Sequence, residues 1–430
     1  MEKPVSILGV DDAVAALHEA LALAIEHPSV LALSHGLDVT IRMGVCLGQG
    51  SEGNAFFGGG SDLCINNGRV SLEAADRGCV AAITIVAQAS AWSQALAKPP
   101  PPLFQSFSAW QLRNPEFSIT GESLAIAQCR AFLECLIERW HVLAAVAPRH
   151  RFSRAGISGR YHHIFGLQGQ AADIFVETSG EGEPILCLHT AGADARQYHG
   201  VMSGLAHDSR FQTIAFDLPA HGRSMPADDW DGEDYVLDQA SYVAWCVAVI
   251  EQTIGKPVTL LGCSMGAAIA LVLAAQRPDL VKAVIALEAP VRPRGRRNPY
   301  LTHSQVNAGW HTAAYVRGLM SPLGSLSERR EAAWIYSQGG PGVYDGDLKF
   351  YSDEFDGEVV AKAIDGKRIP VVLMIGHYDF SATVADAQAL ASWIAHSRIV
   401  EMPELGHFPM TENPTALLAY LITELDRLFH

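Results

Sequence analysis

The stretch VTLLGCSMGAAIALVLAA, residues 258–275, holds a complete Gly-x-Ser-x-Gly pattern between two apolar runs. The apolar run Pro257–Leu261 predicts a short buried strand, and the small residues Ala267–Ala275 predict a helix that ends before Pro278. A sharp turn from strand to helix would hold Ser264 in a strained conformation with its hydroxyl exposed, and the flanking glycines leave room for such a turn. The context therefore predicts a nucleophilic serine.

A serine hydroxyl is a weak nucleophile near neutral pH, so it needs a base and an acid that orients the base. Two later loops supply these groups. Asp379 follows the predicted strand Val371–Gly376, and His407 lies between the predicted strand Ser397–Glu401 and the last predicted helix. The chain order serine, acid, histidine is the order found where the nucleophile lies on a strand–turn–helix elbow. The sequence thus predicts a catalytic triad of Ser264, Asp379 and His407.

Strands and helices alternate after residue 160, and their short apolar runs are typical of a parallel sheet that is covered on both faces. The phrase FDLPAHGRS, Phe216–Ser224, is similar to the D-x-x-G-x-G-x-S turn of the α/β-hydrolase fold family, and we interpret it as a buried turn that supports the sheet. With the triad pattern, residues 160–430 resemble this family. The resemblance implies an α/β fold with a doubly wound, mostly parallel sheet and a helical cap at about residues 290–365.

The phrase LHTAG, Leu188–Gly192, resembles the family's H-G-x oxyanion phrase, with Thr190 where the family usually has glycine. By this resemblance, the backbone N–H groups of Met265 and Ala191 form the oxyanion hole. We expect further substrate contacts from one residue of this loop, three cap aromatics and two aromatics beside the acid and the base: Thr190, Trp310, Tyr315, Trp334, Phe380 and Phe408.

The N-terminal part has a different pattern. A helical stripe over Val10–Ile25 precedes short strands, and a long helix over Ser123–Val146 closes the segment. The order of these elements, with the phrases Ile65–Val70 and Phe117–Gly121, resembles the sterol-carrier-protein-2-like fold. Within the first phrase, Asn-Gly predicts a tight hairpin turn. The predicted division is a small α+β domain at 1–147, a linker at 148–159 and the hydrolase domain at 160–430.

Composition limits the partners. The chain has 31 Lys and Arg against 46 Asp and Glu, a net charge of −15, which disfavours nucleic acid and anionic membranes as partners. No apolar run is long enough to span a bilayer, and the first residues do not look like a signal peptide, so we expect a cytoplasmic protein. No metal site has supporting spacing, and no metal or organic cofactor is implied. The N-terminal domain could present an apolar substrate, shield the cap or make a homo-oligomer.

The expected partner is a small molecule with apolar or aromatic surface. The predicted cap between Ala289 and Asp365 is richer in aromatic residues than the rest of the chain, and pockets bury their ligands against such side chains. Four arginines at the start of the cap could attract a carboxylate-bearing substrate or could form a solvated edge or a subunit contact. They are Arg292, Arg294, Arg296 and Arg297.

The triad predicts a serine hydrolase that cleaves an ester or a lactone through an acyl-enzyme. Two alternatives stay open at the level of the sequence. The same three residues serve enzymes of this family that hydrolyse a carbon–carbon bond of a diketone-type compound. A lipid-binding or sensor protein could also be built on a hydrolase scaffold.

Overall fold

The computed structural model describes residues 8–49, 55–76, 78–141, 152–232 and 234–429. The chain forms two compact units, the first from Met1–Val146 with His303–Leu323 and the second from Ala147–Thr302 with Gly324–His430. This division differs from the predicted one in that His303–Leu323, expected in the cap, packs within the first unit. The predicted linker 148–159 is described only from residue 152.

The helices and strands follow the predicted order closely, and their bounds are as follows. Up to residue 141 they are α1 Val10–Ile25, α2 Pro28–Ala32, β1 Asp38–Gln49, β2 Ala55–Asn66, β3 Arg69–Ala74, β4 Ile83–Gln88, α3 Ala89–Ala95, α4 Phe107–Leu112, β5 Phe117–Gly121 and α5 Ser123–Trp140. Next come β6 Ser158–Phe165, β7 Ala171–Gly180, β8 Glu183–Leu188, α6 His199–Leu205, β9 Phe211–Phe216, α7 Gln239–Val249, β10 Val258–Cys263, α8 Met265–Gln276 and β11 Val281–Leu287. The last are α9 Ala308–Gly318, α10 Leu326–Tyr336, α11 Val343–Leu348, α12 Gly357–Ala363, β12 Val371–Gly376, α13 Val384–Trp393, β13 Arg398–Met402, α14 Pro409–Glu412 and α15 Pro414–Phe429.

The first unit holds a five-stranded sheet in the order β3-β2-β1-β4-β5. The predicted hairpin turn between β2 and β3 is confirmed, because Asn67 and Gly68 both have positive φ, 40° and 91°. An aromatic cluster fills the core beside the sheet: the rings of Trp110 and Phe117 stack at 4.4 Å, and Trp92 meets each of them edge-on. α5 ends at Trp140, and residues 142–146 of the predicted helix lie outside the described residues.

α9 belongs to this unit because it packs on α5 and on the start of α4. Nδ1 of His311 hydrogen-bonds to the carbonyl oxygen of Ala127 at 3.2 Å, and the Ser106 hydroxyl donates to the carbonyl oxygen of Gly318 at 2.8 Å. No sequence pattern indicated this arrangement, because α9 comes more than 160 residues after α5. The resemblance of the N-terminal part to the sterol-carrier-protein-2-like fold stays a prediction.

The second unit is an α/β structure around an eight-stranded sheet in the order β13-β12-β11-β10-β8-β9-β7-β6. The six strands from β13 to β9 are parallel, and β7 and β6 add an antiparallel edge. β8, β10, β11 and β12 are almost wholly buried, as their continuous apolar runs predicted. This confirms the predicted fold class.

The register of the parallel strands brings the functional loops to one edge of the sheet. Gly262 lies beside Leu188, and Cys263 lies beside Leu287. Because parallel strands end at the same edge, the loops that follow β8, β10, β11, β12 and β13 meet there. Within the described residues, none of the helices combines the length and the apolarity that crossing a bilayer would need.

Candidate active site

Ser264 occupies a strained turn between β10 and α8. Its φ of 56° and ψ of −114° are rare for a residue with a side chain, and the turn is held by a 2.9 Å hydrogen bond from its backbone N–H to the carbonyl oxygen of Leu287. A Cβ atom on Gly262 would collide with the carbonyl of Gly266, and one on Gly266 would collide with that of Leu188. Only glycine fits at these two positions, which explains the sequence pattern around the serine.

Asp379 and His407 form a short hydrogen bond in the loops after β12 and β13. Nδ1 of His407 lies 2.5 Å from Oδ2 of Asp379, and the carboxylate also accepts the backbone N–H groups of Ser381 at 2.6 Å and Ala382 at 3.2 Å. Both residues are at most 5% exposed. The carboxylate therefore fixes the ring orientation and directs Nε2 away from itself, as a base would require.

The turn that holds Ser264 contacts the loop that holds His407, but the Ser264 hydroxyl hydrogen-bonds to a different residue. The thiol of Cys263 donates to the carbonyl oxygen of His407 at 3.2 Å, which places the histidine loop against the serine turn. The Ser264 hydroxyl donates to the hydroxyl of Tyr351 at 2.9 Å, and among the described residues it makes no hydrogen bond to the imidazole. Tyr351 lies in a π-helical turn of the cap, Lys349–Glu354, and its contact with the serine was not predicted from the sequence.

A second buried acid, Glu288, lies directly after β11 and was missed at the level of the sequence. Burial raises the pKa of its carboxyl well above the ordinary value, and the neighbouring charge of Asp379 and a hydrogen bond with it raise that pKa further. Its carboxyl oxygens accept the backbone N–H of Gly376 at 2.9 and 3.1 Å. A neutral carboxyl beside Asp379 can donate its proton to that carboxylate and hold it in place. The only sequence signal was an acid at the end of an apolar strand.

The loop after β8 offers one backbone donor to the site. The N–H of Thr190 donates to Oε1 of Gln197 at 3.1 Å, and the N–H of Gly192 donates to Oδ2 of Asp347 at 2.7 Å. For the N–H of Ala191, the described residues provide no acceptor. Ala191 is therefore the one residue of the three with a donor left for a ligand.

The backbone N–H of Met265, the residue after Ser264, is the second candidate oxyanion donor. Met265 is the first residue of α8, where a backbone N–H has no partner within the helix, and the side chain of Ser264 does not cap it. The dipole of α8 adds partial positive charge at this end.

The buried turn Phe216–Ser224 supports the sheet, as interpreted from the sequence. The Asp217 carboxylate accepts the backbone N–H groups of Ala195 and Arg223, both at 2.8 Å, and the Ser224 hydroxyl donates to the Asp217 carbonyl oxygen at 2.6 Å. These bonds tie the end of β9 to the loop after β8. Catalytic groups are not part of this network.

The residues predicted to contact substrate fall into three groups. The ring of Phe408 meets the His407 ring edge-on at 4.8 Å, and buried Phe380 follows Asp379 directly. Buried Thr190 hydrogen-bonds through its hydroxyl to that of Tyr336. The remaining three lie elsewhere: Trp334, which is half exposed, lines a groove of about 840 Å³ that none of the triad residues lines, and Trp310 and Tyr315 lie on α9 of the first unit. Their roles stay predictions.

The part of the chain that the structure describes contains no candidate metal-binding site. No group of three or more His, Cys, Asp or Glu side chains there has an arrangement that could hold an ion.

Comparisons with known proteins agree with this architecture. The chain is 27% identical over 270 residues to the pimeloyl-[acyl-carrier protein] methyl ester esterase of Chromobacterium violaceum, covering 59% of this chain and 98% of that protein. A thermophilic esterase from Thermogutta terrifontis has a similar fold, with a TM-score of 0.54 and 17% identity over 63% of this chain and all of that one. The enol-lactonase from Burkholderia xenovorans LB400 gives a TM-score of 0.53 and 18% identity over 62% of this chain and all of that one.

The model of the alpha/beta hydrolase fold family matches residues 183–414, which is more than half of the 430-residue chain and includes Ser264, Asp379 and His407. The chain therefore belongs to the alpha/beta hydrolase fold family.

Proposed function

We propose that this protein hydrolyses a carboxylic ester or a lactone through an acyl-enzyme on Ser264. The observation that carries the proposal is the 2.5 Å hydrogen bond between His407 and Asp379 beside a serine in a strained strand–helix turn. An oriented imidazole next to a serine at a helix N-terminus is the arrangement that acyl transfer needs. The related methyl ester esterase, similar over nearly its whole length, supports an ester as the substrate.

The reaction begins when Nε2 of His407 takes the proton of the Ser264 hydroxyl, which attacks the acyl carbonyl carbon. The carbonyl oxygen becomes an oxyanion, which the N–H groups of Met265 and Ala191 stabilise. His407 then gives its proton to the departing alkoxide, and the alcohol leaves. Water, deprotonated by His407, attacks the acyl-enzyme, and the proton returns to Ser264 as the carboxylic acid is released. Asp379 stabilises the imidazolium in both halves of the reaction.

Before the attack, the Ser264 hydroxyl must exchange Tyr351 for His407 as its acceptor. We infer that a rotation about χ1 of the serine makes this exchange, since the serine turn and the histidine loop are already in contact through Cys263. Catalytic hydrogen bonds that form only with substrate present are common in ligand-free enzymes.

The test combines a covalent probe with three substitutions. We expect a fluorophosphonate probe to label Ser264, and we expect Ser264→Ala to abolish labelling and to lower turnover of simple aryl esters by several orders of magnitude. His407→Gln and Asp379→Asn should also lower turnover steeply, because the three groups act as a unit. Ser392→Ala removes an exposed hydroxyl on α13 and serves as the matched control.

Near-normal ester hydrolysis by the Ser264→Ala variant would overturn the mechanism. The same preparations should be assayed with lactones and with a β-diketone, because carbon–carbon cleavage can use the same triad. Turnover of the diketone, with all esters and lactones inert, would overturn the substrate assignment and leave the triad in place. No labelling of the folded protein would favour the binding or sensor alternative.

A further inference from the structure

We propose that Tyr336, the last residue of cap helix α10, is a positioning residue that holds the oxyanion loop in its active conformation. The oxyanion loop is the segment 189–192, which follows β8 and contains Ala191. The inference rests on the proposed function, in which the N–H of Ala191 stabilises the oxyanion. It adds a cap side chain to the groups that shape the site.

The oxyanion loop begins against the turn of the nucleophile. Strands β8 and β10 pair so that Leu188 lies beside Gly262. A Cβ atom on Gly266 would lie 2.0 Å from the carbonyl oxygen of Leu188 and 2.9 Å from that of His189. A shift of the loop therefore moves its N–H groups relative to the turn that holds Ser264.

The backbone of Thr190, the residue before Ala191, is fixed by contacts within the core. Its N–H donates to Oε1 of Gln197 at 3.1 Å. Its carbonyl oxygen lies 2.9 Å from Nδ1 of His189 and accepts the N–H of Ala193 at 3.2 Å. These bonds fold the loop independently of the cap, so we expect the loop to stay folded when a single cap contact is removed.

The side chain of Thr190 connects the oxyanion loop to the cap. Its hydroxyl lies 3.1 Å from Oε1 of Gln197 and also hydrogen-bonds to the phenol hydroxyl of Tyr336. Because an amide oxygen only accepts, the Thr190 hydroxyl donates its single proton to Gln197 and accepts the second bond from the phenol. Burial raises the pKa of the Tyr336 phenol well above its usual value, which favours the protonated form that can donate.

Ala191 is therefore flanked by two residues that the cap holds. Tyr336 bonds to the side chain of Thr190 on one side, and Asp347 of α11 accepts the N–H of Gly192 at 2.7 Å on the other. Since the described residues provide no acceptor for the N–H of Ala191, its position depends on these neighbours. The oxyanion hole is complete only when both cap contacts are made.

The hydroxyl and the ring of Tyr336 contact different parts of the site. The ring meets that of Phe408 edge-on at 5.5 Å, and Phe408 in turn meets the ring of His407 edge-on at 4.8 Å. A phenylalanine at position 336 keeps this packing and loses only the bond to Thr190. Tyr336→Phe therefore separates the oxyanion loop from the histidine loop.

The experiment measures the oxyanion hole with a trifluoromethyl ketone. The oxygen of Ser264 bonds to the ketone carbon, the hydroxyl proton passes to His407, and the ketone oxygen becomes a bound oxyanion. We expect Tyr336→Phe to weaken binding of this ketone about tenfold and to lower kcat for an aryl ester by a similar factor, the effect of one lost hydrogen bond. Binding of the ester in the Ser264→Ala background should change less than about threefold, because the bound ester carries no oxyanion.

Thr190→Val tests the route by which Tyr336 acts. It removes the hydroxyl that accepts the phenol proton and keeps the branched shape of the side chain. We expect it to lower kcat at least as much as Tyr336→Phe, because it also loses the bond to Gln197. Adding Tyr336→Phe to Thr190→Val should then lower kcat by less than about twofold, since the partner is already absent.

Tyr161→Phe is the matched control. The Tyr161 hydroxyl donates to the carbonyl oxygen of Arg223 at 2.9 Å, on the edge strand β6 of the sheet. Its kcat and its affinity for the ketone should stay at the wild-type values. All rates are divided by the fraction of molecules that a fluorophosphonate probe labels, so that a misfolded fraction does not count as slow enzyme.

Unchanged kcat and ketone affinity in Tyr336→Phe would overturn the role of Tyr336, and so would losses that multiply in the double variant. An equal loss of affinity for the ketone and for the ester in the Ser264→Ala background would overturn it as well, because the effect would then not depend on the oxyanion. The proposed function stands in each of these cases if the wild type hydrolyses the ester in a Ser264-dependent way. If the wild type hydrolyses neither esters nor lactones and does not bind the ketone through Ser264, the proposed function fails, and this inference fails with it.

Discussion

The imidazole of His221 and the carboxylate of Asp347 lie 2.9 Å apart, and both are excluded from solvent. Nδ1 of His221 also lies 2.9 Å from the carbonyl oxygen of Pro219. Because a carbonyl and a carboxylate only accept hydrogen bonds, both ring nitrogens donate and the ring is an imidazolium. Burial alone would lower the pKa of His221, but the charge and hydrogen bond of Asp347 outweigh burial and raise it.

This ion pair joins three parts of the second unit. His221 belongs to the turn after β9, and Asp347 belongs to α11 of the cap. Oδ2 of Asp347 also accepts the N–H of Gly192 at 2.7 Å, which fixes the residue after Ala191. The pair therefore fixes the residue beside Ala191, whose N–H is the proposed oxyanion donor.

We expect Asp347→Asn to lower kcat by at least about tenfold, because a loosened Ala191 weakens an oxyanion donor whose complete loss costs about 100-fold or more in other enzymes. Stability should fall by about 3 kcal/mol, since the substitution breaks a buried ion pair. Steady-state kinetics on an aryl ester and chemical denaturation measure the two effects. Asp345→Asn, on the same helix but in a surface ion pair, is the control. A destabilised variant with unchanged kcat would show that other contacts place the loop.

Tyr351 offers a second test, because its hydroxyl already contacts the nucleophile. It accepts the Ser264 hydroxyl, and the described residues provide no acceptor for its own proton, which leaves a donor for the tetrahedral intermediate. Tyr351→Phe should lower kcat about tenfold with a smaller change in KM, the effect of one lost hydrogen bond in the transition state. Pre-steady-state measurement of acylation gives the rate directly. Faster acylation in the variant would mean instead that Tyr351 restrains the serine in its resting conformation.

The meeting of the loops that hold Ser264, Asp379 and His407 could be predicted from the sequence because each loop follows a strand of the parallel sheet. Ser264 comes directly after β10, Asp379 three residues after β12 and His407 five residues after β13, and parallel strands end at one edge of a sheet, so this meeting required no knowledge of side-chain packing. The loop that contains Ala191 was expected at the same edge, because it also follows a strand of the parallel sheet. The strands were predictable because a continuous apolar run of about four to eight residues is typical of a buried strand and is shorter than most buried helices.

The supporting contacts could not be predicted, since they depend on how the cap folds back. Asp347 reaches His221 across 126 positions, and Tyr351 reaches Ser264 across 87. No periodicity links such residues. Aromatic content alone selected Trp310 and Trp334 and not Tyr351, yet Trp310 lies on a helix of the first unit and Trp334 lines a separate groove.

Two substitutions of Glu288 can separate the effect of its charge from the effect of its shape and hydrogen bonds. Its raised pKa favours the protonated, uncharged carboxyl, so a neutral amide should replace it better than a methyl group does. We expect Glu288→Gln to retain at least about tenfold more kcat/KM than Glu288→Ala, which removes the hydrogen bond between this side chain and Asp379 and leaves the Gly376 N–H without its acceptor. The measurement is kcat/KM for both variants between pH 6 and 9. Equal activity of the two would exclude a role for this carboxyl in positioning Asp379.

The first unit contains a carboxyl whose titration should make its stability depend on pH. Glu134, on α5, is buried, and its carboxylate accepts the backbone N–H of Ser108 at 2.7 Å and that of Phe107 at 3.3 Å. Burial raises the pKa of Glu134 from 4.5 to about 7, against the opposing effects of Ser108 and Arg130. The folded chain thus holds this proton more tightly than the unfolded chain does.

From this it follows that the Glu134 contribution to stability is fully present below about pH 4.5 and is lost as the pH rises through about 7. The loss should amount to about 3 kcal/mol, since every tenfold difference in proton affinity between the folded and unfolded chain corresponds to about 1.4 kcal/mol. Glu134→Gln cannot ionise, so its free energy of unfolding should fall less than that of the wild type between pH 5 and 8. Chemical denaturation at both pH values, with exposed Glu116→Gln as the control, gives the difference. Parallel pH profiles for the wild type and Glu134→Gln would mean that the carboxyl ionises at an ordinary pH in the folded chain, through water or a rearrangement that reaches the N-terminus of α4.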